Sequence, residues 1–217
     1  PVHYRPPLHN LLMALTLTLM GWGYTSTQLV TSIYASALVF PTYLLGKRLF
    51  NERVGLWSTA FIALNPFFTE RALETEPRAM TSYLVLTTLY FVLKGRGYWP
   101  YFAVTAGLSY LTHYSSIWFL IAFTLIYVVE NKGFLREKET YLTLLLFLTL
   151  VSPWLYRNQV VFNNPFYTTT RYLPFMYKTE VYNSLDPPTL ESYLAHYGSG
   201  LTAWVKVLGV RIVNIVT

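Results

Sequence analysis

The chain has 217 residues, of which 53% are hydrophobic and 12% charged, with a formal net charge of +6 and no Cys. The lack of Cys excludes a disulfide framework and a thiolate metal site, and a mean hydropathy of +0.35 leaves too little polar surface for the helices of a soluble domain. The 16 Lys and Arg residues form no single stripe, which argues against a nucleic-acid partner.

Near the start, Tyr4-Arg5-Pro6-Pro7-Leu8 leads into an apolar stretch over 8–20. Its 13 residues fall short of the roughly 17–25 needed to cross a bilayer. Six longer apolar runs follow at 27–46, 55–69, 79–93, 98–111, 115–129 and 140–156. They predict an all-α, polytopic transmembrane helix bundle. Tyr and Trp are abundant, as expected where rings meet a membrane–water interface.

The short connections 46–53, 94–97 and 130–139 carry the basic residues Lys47, Arg48, Arg53, Lys94, Arg96, Lys132, Arg136 and Lys138. Short loops rich in Lys and Arg stay cytoplasmic. The helices between them then pair, and the turns at 70–78 and 112–114 face outward with everything after 156. The segment 27–46 runs from outside to inside, so 8–20 is expected on or dipping into the outer leaflet; a short true span is the other reading. The expected organisation is an outer loop and juxtamembrane helix at 1–26, a six-helix transmembrane bundle at 27–156, an external loop at 157–199 and the start of a further membrane helix at 200–217. The chain begins at Pro1 and ends inside an apolar run at 205–216, so it is expected to be an internal piece of a longer polytopic protein.

This topology gathers the unusual polar residues on the outer face: Tyr4, Arg5 and His9; Glu70, Arg71, Glu74, Glu76 and Arg78; His113; and Arg157 and Asn158. Charge at membrane depth is costly and marks cavities or partners. Each residue also has a plainer reading. Arg5 can anchor to lipid headgroups. Glu76 can cap the next helix, with Pro77 in its first turn. His113 reads better as a hydrogen-bonded turn residue than as a catalytic one. Arg157 is equally a snorkelling stop and a phosphate ligand. The scattered histidines show no metal spacing, and no P-loop or nucleophile-elbow motif occurs. The segment 157–199, broken by Asn163-Asn164-Pro165, Pro174 and Asp186-Pro187-Pro188, is expected to be irregular, with a short helix near 189–197.

Several motifs recur in a characteristic order. They are Tyr4-Arg5-Pro6-Pro7-Leu8, Leu45-Gly46-Lys47-Arg48-Leu49-Phe50, Leu64-Asn65-Pro66 and Glu76-Pro77. Then come Leu111-Thr112-His113-Tyr114 and Pro153-Trp154-Leu155-Tyr156-Arg157-Asn158. Over about residues 3–170 this succession resembles the dolichyl-phosphate-mannose–protein mannosyltransferase and aminoarabinose transferase-like group of the GT-C superfamily. The resemblance implies transfer, with inversion, of a sugar from a polyprenyl-phosphate donor to a protein, lipid or glycan acceptor at the extracytoplasmic face. The membrane would be the plasma membrane, or the ER membrane in a eukaryote. The family also places a juxtamembrane helix where 8–20 falls.

The resemblance implies site roles as well. Arg5 matches the basic residue that contacts the donor phosphate, and Arg157 and His113 are further phosphate-binding candidates. Glu76-Pro77 matches the second acidic position. The principal catalytic carboxylate is expected before Pro1, so Glu76 is the one catalytic candidate within the chain. Tyr4, His9, Glu74, Arg78 and Asn158 are expected to line the cavity. In the aminoarabinose transferases a Glu preceding the basic residue helps hold a metal; Tyr4 stands there, so no metal ligand is assigned and a divalent ion stays open. The alternative is a transporter or flippase of lipid-linked sugars, which would place charge nearer the midplane of the membrane. A non-catalytic scaffold would tolerate loss of Arg5 and Glu76.

Overall fold

The computed structural model describes residues 6–130, Gly133 and 137–167. Tyr4, Arg5, most of 157–199 and all of 200–217 lie outside the described residues. Among the described residues all regular structure is helical.

The helices are α1 (Pro7–Met20), α2 (Tyr24–Ala37), α3 (Val39–Leu49), α4 (Glu52–Leu64), α5 (Pro66–Ala72), α6 (Arg78–Lys94), α7 (Trp99–Thr112), α8 (Ser116–Glu130) and α9 (Lys138–Phe162). Each of the six apolar runs falls on helix. Among the described residues two continuous stretches are long and apolar enough to cross a membrane: Tyr24–Leu49 with 26 residues and Lys138–Phe162 with 25.

The sequence explains the breaks. Pro41 has no N–H for the carbonyl four residues back, and the path from α2 to α3 is interrupted at Leu38. The expected run 55–69 divides at Asn65-Pro66: Asn65 turns extended, as a residue before Pro prefers. The Asn65 side chain then accepts the Phe68 N–H at 3.2 Å, which starts α5. Pro153, by contrast, sits inside α9 without ending it. It leaves the Thr149 carbonyl without its usual partner, and the Ser152 hydroxyl donates to that carbonyl at 3.4 Å. As a result α9 passes the expected end at 156 and stops at Asn163, which is left-handed at φ 51°.

Hydroxyls within the helices are returned to the backbone. Thr42, Thr88, Thr112, Thr124, Thr143 and Thr149 each donate to the carbonyl four residues earlier, at 2.6–2.8 Å. This leaves large apolar residues such as Leu15, Trp57, Phe61, Trp118 and Leu145 facing outward.

The core joins α6, α7, α8 and α9 through Val92, Trp99, Ala106, Tyr110, Phe123, Val151 and Trp154. Small residues set the closest approaches. A Cβ on Gly107 would stand 3.1 Å from the Leu150 side chain, so α7 and α9 meet there with no room to spare. The α3–α4 hairpin is tighter still: a Cβ on Gly46 would lie 2.8 Å from the Gly55 Cα, and one on Gly55 would lie 2.8 Å from the Tyr43 carbonyl oxygen. Arg48 ties this hairpin to α6, donating from Nε to the Leu93 carbonyl at 2.9 Å and to the same oxygen from its Nη2.

At the other end of the bundle, His9 in the first turns of α1 lies 3.4 Å from the Thr75 carbonyl oxygen. Gln28, in the second turn of α2, donates to the Leu73 carbonyl at 3.1 Å. Both helices therefore reach the same turn between α5 and α6 with their opening residues, and α1 closes back over that end of α2.

Gly55→Ala is expected to lower stability by about 1–3 kcal/mol, because the neighbours it meets are backbone atoms that cannot yield cheaply. Gly97→Ala, with nothing within 4 Å of its Cβ, should change little. Thermal unfolding of both variants in detergent measures the difference.

Candidate active site

The site residues fall into two groups, each held at a turn between helices. The first is the turn between α5 and α6. Pro77 occupies the N-cap position of α6, and no side chain caps that helix. Glu76 therefore does not cap it, because its carboxylate is engaged by Arg78. Arg78 Nε lies 2.7 Å from Glu76, and its Nη1 lies 3.7 Å from Glu74. Arg78 is exposed and Glu76 about half-exposed, so these pairs orient the turn more than they stabilise it. His9 is buried against this turn.

The second group joins the turn between α7 and α8 to the last turns of α9. The Tyr114 hydroxyl accepts from Trp154 Nε1 at 2.9 Å and from Asn158 Nδ2 at 3.4 Å. Burial pushes the Tyr114 pKa up, against the lowering effect of the Asn158 and Trp154 donors and the Arg157 charge. Asn158 is fully buried. Its amide also donates to the Pro165 carbonyl at 3.3 Å, and its oxygen accepts from Arg157 Nη1 at 3.0 Å.

Arg157 is thereby fixed from three sides. Its guanidinium lies 4.7 Å from the Trp154 ring centre and 5.2 Å from that of Phe162. Such stacking suits a planar, weakly hydrated cation. Among the described residues no carboxylate pairs with it. A guanidinium bracketed by two rings, with one of its five N–H donors committed to Asn158, retains donors for an anion.

His113 is the C-cap residue of α7. Its Nδ1 accepts from the Ser115 N–H at 3.1 Å and lies 2.7 Å from the Ser115 hydroxyl. Protonating Nδ1 would displace the Ser115 N–H, so binding a phosphate as a cation would cost this turn a hydrogen bond. The structure thus brings Arg157 and Asn158 together in one network with the turn that carries His113, and Glu74, Glu76, Arg78 and His9 together in another.

Sequence reasoning missed Tyr114 and Trp154 as members of the site. The signal was in view, since both stand inside the quoted motifs, but neither carries charge. Among the described residues no group of three or more His, Asp or Glu could hold a metal ion.

The described residues are helical, with apolar outer faces and two stretches of membrane length, the frame that a membrane glycosyltransferase of the GT-C type requires. Residues 4–156 match the sequence model of the dolichyl-phosphate-mannose-protein mannosyltransferases, and the chain belongs to that family. No curated protein and no solved structure matches it.

Tyr114→Phe should leave the Trp154 indole and the Asn158 amide short of an acceptor and lower stability by about 1–3 kcal/mol. Thermal unfolding of the purified variant would show this loss.

Proposed function

We propose that the chain is part of an enzyme that moves a sugar from a polyprenyl-phosphate donor to a protein, lipid or glycan acceptor at the extracytoplasmic face, with inversion at the anomeric carbon. The observation that carries this reading is Arg157, held by Asn158, Trp154 and Phe162 without a carboxylate partner among the described residues. As the sugar leaves, negative charge grows on the lipid phosphate. A pre-placed guanidinium stabilises that charge without reorganising, and does so more strongly where water is sparse. Arg5 is the second proposed phosphate ligand, from its place before Pro6. His113 is the third, in its protonated form.

A carboxylate takes the acceptor proton during attack. Glu76 is the candidate within the chain, and Arg78 holds it in place. Glu74 and the buried His9 belong to the same end of the bundle, and Tyr4 is proposed, from its place beside Arg5, to line the same cavity. The early residues of both α1 and α2 reach the turn between α5 and α6, which supports a helix lying along the outer membrane surface. The basic connection carrying Lys47, Arg48 and Arg53 then faces the cytoplasm. The segment that follows α9, up to 199, is proposed to take part in choosing the acceptor.

The test is transfer from a polyprenyl-phosphate sugar in liposomes by the full-length enzyme. Arg157→Ala and Arg5→Ala should each lose at least about tenfold in rate, roughly 1.4 kcal/mol of transition-state stabilisation. The Lys variants should recover part of it, since Lys keeps the charge but loses the planar fork. Full activity of both Ala variants at matched folded protein would reject the phosphate role.

Glu76→Gln separates catalysis from simple ion pairing. As a proton acceptor its loss should abolish most turnover while leaving thermal stability within about 1 kcal/mol, because an exposed pair contributes little to folding. Wild-type turnover in this variant would remove Glu76 from the chemistry.

A further inference from the structure

Tyr114 carries a hydrogen that its own network does not use. Trp154 Nε1 can only donate, and it donates to the Tyr114 oxygen at 2.9 Å. The Asn158 amide is oriented from two other sides. Arg157 can only donate, so it faces Oδ1 at 3.0 Å, and the Pro165 carbonyl can only accept, so it faces Nδ2 at 3.3 Å. Nδ2 is then also the atom that faces Tyr114, at 3.4 Å. Both contacts bring hydrogens to the phenol oxygen, so the phenol's own hydrogen points away from them. Among the described residues no acceptor takes it.

The hydroxyl is placed to act as a donor. Tyr114 is half-buried in the turn between α7 and α8, whereas Trp154 and Asn158 behind it are buried. The Tyr110 ring meets it edge-on, with centres 5.8 Å apart, which steadies the phenol plane. Burial pushes the Tyr114 pKa up and the Arg157 charge acts against that rise, so the two groups are within electrostatic reach and the phenol keeps its proton at neutral pH. The two side chains that hold Tyr114 also hold Arg157: Trp154 through its ring, 4.7 Å from the guanidinium, and Asn158 through Oδ1. One indole and one amide therefore mount two groups with unspent donors in a single cluster. A cation and a neutral hydroxyl donor together suit an anion with several oxygens.

We infer that the Tyr114 hydroxyl donates a hydrogen bond to the phosphate of the polyprenyl-phosphate sugar, beside Arg157; this rests on the phosphate role proposed for Arg157. In the transfer step the acceptor oxygen bonds to the anomeric carbon. The bond from that carbon to the phosphate oxygen breaks, and its electron pair stays on the phosphate. The hydrogen bond from Tyr114 strengthens as that charge grows. The proton remains on the phenol, which is a far weaker acid than a phosphate monoester.

Transfer from a polyprenyl-phosphate mannose by the full-length enzyme in liposomes tests this. At matched folded protein, Tyr114→Phe should lose at least about tenfold in kcat, with a smaller change in KM for the donor, because the charge that the hydroxyl meets grows in the transition state. That variant also takes an acceptor from Trp154 and Asn158, so a second measurement isolates the donated hydrogen. A ring-difluorinated tyrosine placed at position 114 ionises at lower pH than tyrosine. As a phenolate it still accepts from Trp154 and Asn158 but has no hydrogen to give. Its kcat should therefore fall with rising pH from a lower pH than in wild type, while its thermal unfolding holds over the same range. An alkaline profile identical to wild type would overturn the inference, as would wild-type kcat in Tyr114→Phe. Arg157→Ala separates this inference from the reading beneath it. Tenfold loss there with full turnover in Tyr114→Phe removes the role of Tyr114 alone, whereas full turnover in Arg157→Ala removes the phosphate site itself.

Discussion

The cost of stranding a polar group in apolar surroundings shapes most of this molecule. Helices meet it for the backbone, because they satisfy every interior N–H and C=O within one segment. The threonines meet it for their hydroxyls by donating to the carbonyl four residues back. Ser152 does the same for the carbonyl that Pro153 leaves unpaired. Once the interior is settled in this way, charge is confined to helix ends, and the chemistry is confined with it.

The two groups use their charge differently. Between α5 and α6 the acids and Arg78 neutralise one another in a solvated turn. Between α7, α8 and α9, Arg157 is stacked on aromatic rings and tied to a buried amide. The first arrangement steadies a turn. The second holds a cation in readiness, because aromatic faces stabilise a guanidinium without consuming all its donors. The close α7–α9 contact at Gly107 is what brings the two halves of this second group together.

Much of the helical plan was legible in the sequence, since apolar runs bounded by basic loops and prolines carry their own boundaries. Asn65-Pro66 marked a break inside a run that hydropathy alone reads as continuous. The run expected to end at 156 continues to Phe162 with Pro153 inside the helix, and the Ser152 hydroxyl takes up the Thr149 carbonyl that Pro153 leaves without an N–H donor. Arg157 and Asn158 were visible as polar residues in an apolar context. Their partner Tyr114 was not, because the contacts join residues 40 and 44 positions apart and no periodicity links them. The pairing of Glu76 with Arg78 was visible in the run of alternating charges, whereas its preference over helix capping depended on where α6 begins.

That long separation also orders the assembly of the protein. Chains emerge from the ribosome N-terminus first, at roughly 5–20 residues per second. The α3–α4 hairpin can close as soon as residue 64 is made, because its contacts are local. The hydroxyl of Tyr114 must wait until Trp154 and Asn158 have been synthesised, a delay of roughly 2–9 s for 44 residues at that rate. Through this interval the turn between α7 and α8 has to keep its polar groups hydrated. It can do so only at the membrane surface, so α9 completes the cation site after the earlier helices are already in place.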